Sequence, residues 1–428
     1  MDREAYRTFR RLWMGESVSY LGAQISTLAI PLTAILLLDA NVEQVALLVA
    51  SGWAPYLGFP LIVGPFLEHR PRRPIAAWTN WGRAAILALI PTLYLVRCLS
   101  IEVLCFVALA VGALTVVFDT AFWSLLPAFI PIADRTRVNS RLMASASAAT
   151  TAGPAVAASL VATIGAPLAI AANSVTYGFS GWNIWRTEIP ETRVPGIATA
   201  GRWRRDLLLG LSVVYRNRIL RPIAIYAGAL NFFYQVVMTL LIVYLVSFIH
   251  VPVLYIGGIL AAAGLGAFVG SIFAESFERS IGFGSAFLAC GLVAGGSFAI
   301  IPFARGPPGL VTLILGTAML LFGLGTGAAS VYAITARQSL IPERHLAKGM
   351  ASYRFVSYGV LPIAALAAGA ISSSVGVVPT LAIGAFGLLG SSLILTSRPL
   401  LRLRSVETAA PNGDHVVPSD SNVPGGPS

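Results

Sequence analysis

Charge is scarce in this sequence. Only 11% of its 428 residues are Asp, Glu, Lys or Arg, against 56% hydrophobic, and the mean hydropathy is +0.78. A soluble domain carries about 25% charged residues. So few charges cannot clothe a water-facing surface on a chain of this size, so lipid replaces water as the main solvent. Catalytic and metal-binding patterns are missing too. The four histidines, His69, His250, His345 and His415, fall in loops or the tail, and there is no HExxH and no pair of aspartates inside an apolar run. These absences argue against a membrane-embedded enzyme. Cys98, Cys105 and Cys290 form no CxxC pair and stand apart from the histidines, so neither a disulfide nor a metal site is expected, and no cofactor is called for. There is no GxxxxGK[ST] loop for a nucleotide. A cleavable signal peptide is not expected either: Arg3, Arg7, Arg10 and Arg11 lead into an apolar run that continues past Leu38, too long for a signal core.

What the sequence has is apolar runs long enough to span a bilayer, which takes about 20 residues. Twelve are marked: 12–38, 42–66, 74–96, 100–122, 141–163, 166–186, 222–248, 253–274, 283–303, 309–333, 351–372 and 377–397. The net charge of +11 lies between these runs, a membrane-topology pattern rather than a nucleic-acid footprint. Of 29 basic residues, 26 fall in the termini and alternate loops, two (Arg97 and Arg305) in the opposite loops, and Arg83 within span three. By the positive-inside rule both termini and the central loop are expected in the cytoplasm of a multi-pass cell-membrane protein.

Residues 187–221 divide the spans six and six. Leu207, Leu208, Leu211 and Val214 recur there at helical spacing, with Arg205, Ser212 and Arg216 elsewhere on the wheel, as in a helix lying on the membrane surface. Residues 405–428 are rich in Pro, Ser, Gly, Asn and Asp, and a disordered cytoplasmic tail is expected. The halves echo one another: Gly64 to Glu68 resembles Gly270 to Glu275, and Pro154 matches Pro362, at offsets of 206 and 208 residues. The expected architecture is all-α and membrane-integral, with twelve transmembrane helices in two pseudo-symmetric six-helix bundles. The bundles take residues 1–186 and 222–404, with the central loop 187–221 between them.

After span two the chain reads Gly64-Pro-Phe-Leu-Glu68-His-Arg70-Pro-Arg72-Arg73. This resembles the loop signature of the major facilitator superfamily, and the resemblance covers nearly the whole chain. Asn80-Trp-Gly-Arg83, Ser124-Leu-Leu-Pro127, Gly153-Pro154 and Arg337-Gln-Ser-Leu-Ile-Pro342 are similar to bacterial drug and siderophore exporters of that superfamily. There are departures. Glu68 stands for an aspartate, Pro71 for a glycine, Ala149, Ala157 and Ala158 for glycines around the span-five motif, and Ala23 for an acidic residue of span one. The resemblance implies a gating latch of Gly64, Glu68, Arg72, Arg73 and Asp119, in which Glu68 faces the N-terminus of span eleven and the arginines meet Asp119 at the end of span four. A plain positive-inside loop accounts for the same residues.

Ionisable groups within spans are costly and point to function. Glu16 lies four or five residues into span one, Asp119 near the end of span four, and Arg83 about nine residues into span three, roughly 13 Å deep at 1.5 Å per residue. Glu16 fits two roles, a proton-coupling carboxylate or an interfacial one reaching the cytoplasm. In the superfamily, spans one, four, seven and ten line the cavity. That implies a lining of Tyr20, Gln24, Thr27, Phe118, Phe122, Tyr226, Asn231, Phe232, Tyr234, Gln235, Phe322, Thr326 and Tyr332, aromatic and amide-rich, suited to a bulky amphipathic molecule. The expected function is export of a hydrophobic or amphipathic small molecule, with the proton as coupling ion, membrane lipid as surroundings, no nucleic acid, and a monomer as the working unit. A dedicated siderophore or metabolite exporter, and a receptor or scaffold on a transporter fold, are the alternatives.

Overall fold

A computed structural model of the chain describes residues 3–60, 63, 67, 70–189, 202–342 and 346–405. Among them there are helices and tight turns and no strand. Span one is Arg3–Leu37; span two opens as Val42–Trp53 and continues through a 3-10 turn, Ala54–Leu57; spans three to six are Arg72–Leu95, Ile101–Phe129, Ile132–Ile164 and Ala166–Trp185. A linker helix, Arg202–Arg216, precedes span seven, Leu220–Val243, which runs on into a wider turn, Tyr244–Phe248. Spans eight to twelve are Val253–Ile281, Phe283–Phe298, Pro308–Leu340, Leu346–Val375 and Val377–Ser391.

Nine of the described helical segments are long and apolar enough to cross a membrane. Of the three remaining spans, span two has its regular helix interrupted at Pro55 and part of its far end outside the described residues, while span three carries Asn80 and Arg83, and span six Asn173, Ser174, Thr176, Ser180 and Asn183. The helices of spans one, four, five, eight, ten and eleven all run beyond their apolar stretches on the arginine-rich face: span one begins at Arg3 rather than residue 12 and span five at Ile132 rather than 141. Hydropathy marks where lipid ends, while the backbone hydrogen-bond ladder continues into the aqueous layer.

The pseudo-symmetry recurs in the turns. Gly165 (φ 83°) joins spans five and six, and Gly376 (φ 92°) joins spans eleven and twelve; Asp39 (φ 48°) and His250 (φ 57°) close spans one and seven. Each pair is 211 residues apart. The hairpin glycines are required, because left-handed backbone penalises a Cβ.

The buried core gives the state of the molecule. On the face away from the arginines one apolar cluster is continuous across both halves, taking in Leu32, Leu48, Ala158, Leu241, Ile256, Leu315 and Ala368. On the arginine-rich side the core divides. One cluster, around Phe9, Phe122, Leu142 and Ile184, belongs to spans one to six; another, around Tyr226, Phe287, Tyr332 and Leu395, belongs to spans seven to twelve. The halves are therefore joined on one face and parted on the other. Spans five and eight, and spans two and eleven, form the seams between them. Small residues permit that approach: a Cβ on Gly257 would overlap Ala158 and the Pro154 carbonyl, and one on Gly264 would meet the backbone of Thr151.

The linker helix packs on span eleven as well as span seven. Val214 is buried in the core cluster of the second half while Leu208 is 63% exposed. It is docked on the protein itself, not only on lipid. The expected tail, from residue 406 onward, lies outside the described residues.

Candidate functional site

The most deeply buried polar chemistry lies inside the first half. Glu16 is 2% exposed and its Oε1 accepts a hydrogen bond from Ser180 Oγ at 2.7 Å. Ser180 Oγ in turn accepts from Asn80 Nδ2 at 2.9 Å, and Asn80 Oδ1 accepts from Arg83 Nη2. Each group donates toward the carboxylate, so a cation on span three is linked to an anion on span one through an amide and a hydroxyl. Hydrogen bonds aligned this way polarise one another in a low-dielectric interior. Arg83 is sandwiched between the rings of Phe118 and Tyr177, each 4.2 Å from the guanidinium carbon, which supplies the attraction its desolvated charge needs. Spans one and six are stitched again higher up, where Asn173 Nδ2 donates to Ser26 Oγ at 2.6 Å beside Gly22.

A second pattern repeats across the halves. The Gln24 side chain lies on Gly153, at the site of the span-five motif, where any Cβ would overlap it. Asn231, 207 residues later on span seven, donates from Nδ2 to the Ser357 carbonyl of span eleven at 2.8 Å. In both halves an amide of the first helix thus rests on the fifth, near Pro154 and Pro362 respectively.

The aromatic residues expected in a cavity separate into two groups. Phe118 and Phe122 are stacked and 3% and 1% exposed, Tyr332 is fully buried against Phe283 and Phe287 with its hydroxyl on the Ala274 carbonyl, and Tyr226 packs edge-on to Phe287. These side chains are occupied in packing within one half. Tyr234 and Phe322 stack at 4.9 Å with Phe298 beside them, bridging spans seven, nine and ten. Phe232 meets Phe233 edge-on, Gln235 Nε2 donates to Thr239 Oγ1, and Thr326 and Thr27 hydroxyls donate to carbonyls of their own helices. Tyr20 and Gln24 are half-buried and Thr27 is exposed.

At one of the seams between the halves, span two faces span eleven. Tyr56 meets Tyr358 with ring centroids 6.5 Å apart, and Trp53 lies 5.3 Å from Tyr56. One turn from Tyr358 toward the arginine-rich face, Arg354 is exposed. Asp119 is half-buried, within Coulombic range of Arg354, Arg83, Tyr20 and Tyr56, yet among the described residues no ion pair joins it to an arginine. Tyrosines from spans one, two and eleven, one acid and one base thus gather beside this seam. Among the described residues no three of His, Cys, Asp and Glu gather as a metal site would require.

The sequence profile described as Major Facilitator Superfamily matches residues 12–365. The chain belongs to the major facilitator superfamily. It is therefore a multi-pass membrane transporter by family, and the two-bundle, twelve-helix fold is that of superfamily members of known structure. A bacterial homologue of the iron transporter ferroportin, solved in an inward-facing state, superposes with a TM-score of 0.74 at 15% identity, covering 94% of this chain and 100% of that one. The nucleoside transporter NupG gives 0.70 at 12%, covering 92% and 99%. A bacterial homologue of the human lysosomal transporter Spinster, inward-facing and unoccupied, gives 0.68 at 11%, covering 96% and 98%. Identities this low establish the fold alone. No protein of curated function matches the sequence significantly.

Of the superfamily latch, Gly64 and Glu68 lie outside the described residues. Arg72 Nη1 donates to the Ser124 carbonyl near the end of span four at 2.7 Å, and Arg73 Nη1 to the Thr187 carbonyl at 2.5 Å, beneath Trp185. Among the described residues no ion pair joins either to Asp119, which is grouped with Glu16, Arg83 and the seam tyrosines instead. The sequence marked Asn80 only within the Asn80-Trp-Gly-Arg83 motif, and did not mark Ser180, Tyr56, Arg354 or Tyr358 as site residues. Asn80 had a local signal, since it precedes Arg83 by three residues and shares its helix face. Ser180 had none, because its partner is 164 residues away.

Proposed function

We propose that this transporter exports a hydrophobic or amphipathic small molecule, a drug or natural product, from the cytoplasm by proton antiport. What supports the reading is the apolar core that divides on the arginine-rich side, from which we infer a cleft between the halves there, with Tyr20, Trp53, Tyr56 and Tyr358 beside it and one acid and one base. Aromatic walls with few fixed charges suit a large, mostly apolar ligand. With the arginine-rich face in the cytoplasm of the cell membrane, as the positive-inside rule directs, both termini are inside and the cleft stands open to cytoplasmic substrate. Outward release then needs the apolar cluster on the far face to part and the cleft to close. The latch of Gly64, Glu68, Arg72, Arg73 and Asp119 belongs to this second state. The transporter works as a monomer, since the cleft is built within one chain.

Glu16 is the coupling candidate. While it is ionised, the Arg83–Asn80–Ser180 chain ends on a charged acceptor; a proton on Glu16 removes that charge and weakens the hydrogen bond from the Ser180 hydroxyl. Protonation would thus loosen the contact of span one with spans three and six, the kind of local change that can bias two packings of a bundle. A dedicated exporter of an acidic metabolite or siderophore is the second reading, favoured by the exposed Arg354 as a fixed cation in the cleft. The two are separated by expressing the protein in a bacterium lacking its major exporters and measuring growth against a panel of neutral, cationic and acidic compounds. Protection against amphipathic neutral or cationic compounds supports the first reading, protection confined to acids the second, and none at all with the protein in the membrane removes both.

A further inference from the structure

A cleft of about 220 Å³ lies apart from the transport site, at the arginine-rich ends of spans one and five. Arg3 and Tyr6 enter it from span one, and Asp134, Arg137 and Arg141 from span five. Its floor is apolar and closed, with Phe9 1% and Val138 2% exposed. The Arg141 guanidinium lies over the Tyr6 ring at 6.0 Å, which holds two of the walls in register. Three cations against one carboxylate leave a net positive site. The volume falls below the roughly 300–1,000 Å³ of pockets that take drug-sized ligands. It matches a headgroup instead. The position is equally specific: Arg141 stands at the edge of the apolar run of span five, and Arg3 and Tyr6 precede that of span one, so the cleft sits at the depth of phospholipid phosphates. The same two helices carry exposed Met14, Val18 and Met143 up into the apolar layer, where acyl chains would lie.

We infer that this cleft binds the phosphate group of an anionic phospholipid of the leaflet on the arginine-rich side, pinning the entry ends of spans one and five to that leaflet. Basic pockets between membrane helices recognise such headgroups, each arginine near the surface contributing about 1 kcal/mol, or about fivefold in affinity. The test is a titration of the delipidated full-length protein with headgroup-labelled phosphatidylglycerol, alongside phosphatidylcholine of the same chains and soluble glycerol 3-phosphate. Phosphatidylglycerol is expected to bind at least tenfold more tightly than either. Arg137→Gln with Arg141→Gln should weaken it about 25-fold, while Arg216→Gln with Arg218→Gln, elsewhere on the same face, should change it less than twofold. The charge-keeping pair Arg137→Lys with Arg141→Lys should stay within about threefold of wild type, which separates lost charge from lost fold. Equal affinity for phosphatidylcholine, or an equal loss in the remote pair, would overturn the site. Binding of glycerol 3-phosphate as tight as that of the lipid would overturn the lipid assignment and make it a site for soluble phosphate.

Discussion

Removing the Glu16 carboxylate in two ways separates its structural from its coupling role. Glu16→Gln keeps a carbonyl oxygen where Ser180 Oγ donates at 2.7 Å, so the Arg83–Asn80–Ser180 chain retains its terminal acceptor. What is lost is the charge: a hydrogen bond to a charged group contributes about 1.5–3 kcal/mol and a neutral one about 0.5–1.5, so the expected cost is about 1–2 kcal/mol. Glu16→Ala removes the acceptor, strands the hydroxyl and leaves the 3%-exposed Arg83 without its linked anion. Breaking a buried charge pair from one side costs about 3–5 kcal/mol. The aromatic flanks of Arg83 and the indirect link place the expected value near the lower end, about 3 kcal/mol. Thermal unfolding of the purified protein in detergent, followed by tryptophan fluorescence, should show Glu16→Ala lowering the melting temperature about 1.5 to 3 times as far as Glu16→Gln. Ser180→Ala should fall between them. Equal shifts for the two Glu16 variants would refute the claim that the network ends on this carboxylate.

Five further outcomes rest on particular residues. Gly264→Leu, which drives a side chain into the Thr151 backbone at the seam, should cost about 1–3 kcal/mol and reduce transport. Gly258→Ala, with open space around its Cβ, should be neutral or stabilise by about 0.5–1 kcal/mol; thermal melts distinguish the two. Cys98 is exposed on the face away from the arginines, so a membrane-impermeant maleimide should label it in intact cells and leave the buried Cys290 unmodified; labelling of Cys98 only after lysis would invert the topology. Asp119→Asn should insert normally but lower transport, whereas unimpaired flux would take Asp119 out of both cleft and latch. Phe322→Ala should cost about 3–5 kcal/mol of stability, because Phe322 is 7% exposed and stacked on Tyr234, and a calorimetric or denaturant series reads it.

The spans were legible because lipid imposes a one-dimensional rule: a run of apolar residues long enough to cross must be helical. Even the weak spans two, three and six fell within reach of that rule, and the alternation of arginines supplied their order. The ends were not legible, since nothing in hydropathy distinguishes a helix that stops at the interface from one that runs on to Arg3 or Leu340. The site was read less completely. Aromatic residues pack helices and line cavities with the same side chain, and only the fold reveals that Phe118, Phe122 and Tyr332 pack within one half while Tyr56 and Tyr358 meet at the seam between the halves. Glu16 was conspicuous as a carboxylate in an apolar run. Its partners were not, because Ser180 and Asn80 become its neighbours only when spans one, three and six are brought together. The opening of the cleft was likewise invisible in sequence. It emerges from the way the apolar core is shared between the halves on one face and divided on the other.

The most direct test of the exporter account is flux in proteoliposomes of the purified protein under an imposed pH gradient, with ethidium as the amphipathic probe. The account predicts that ethidium moves uphill, opposite in direction to the proton flow, that a protonophore abolishes this movement, and that Glu16→Gln supports only downhill exchange. Uphill transport at the wild-type rate in Glu16→Gln would remove Glu16 as the coupling site. Wild-type ethidium flux that ignores the pH gradient would contradict proton-driven export itself.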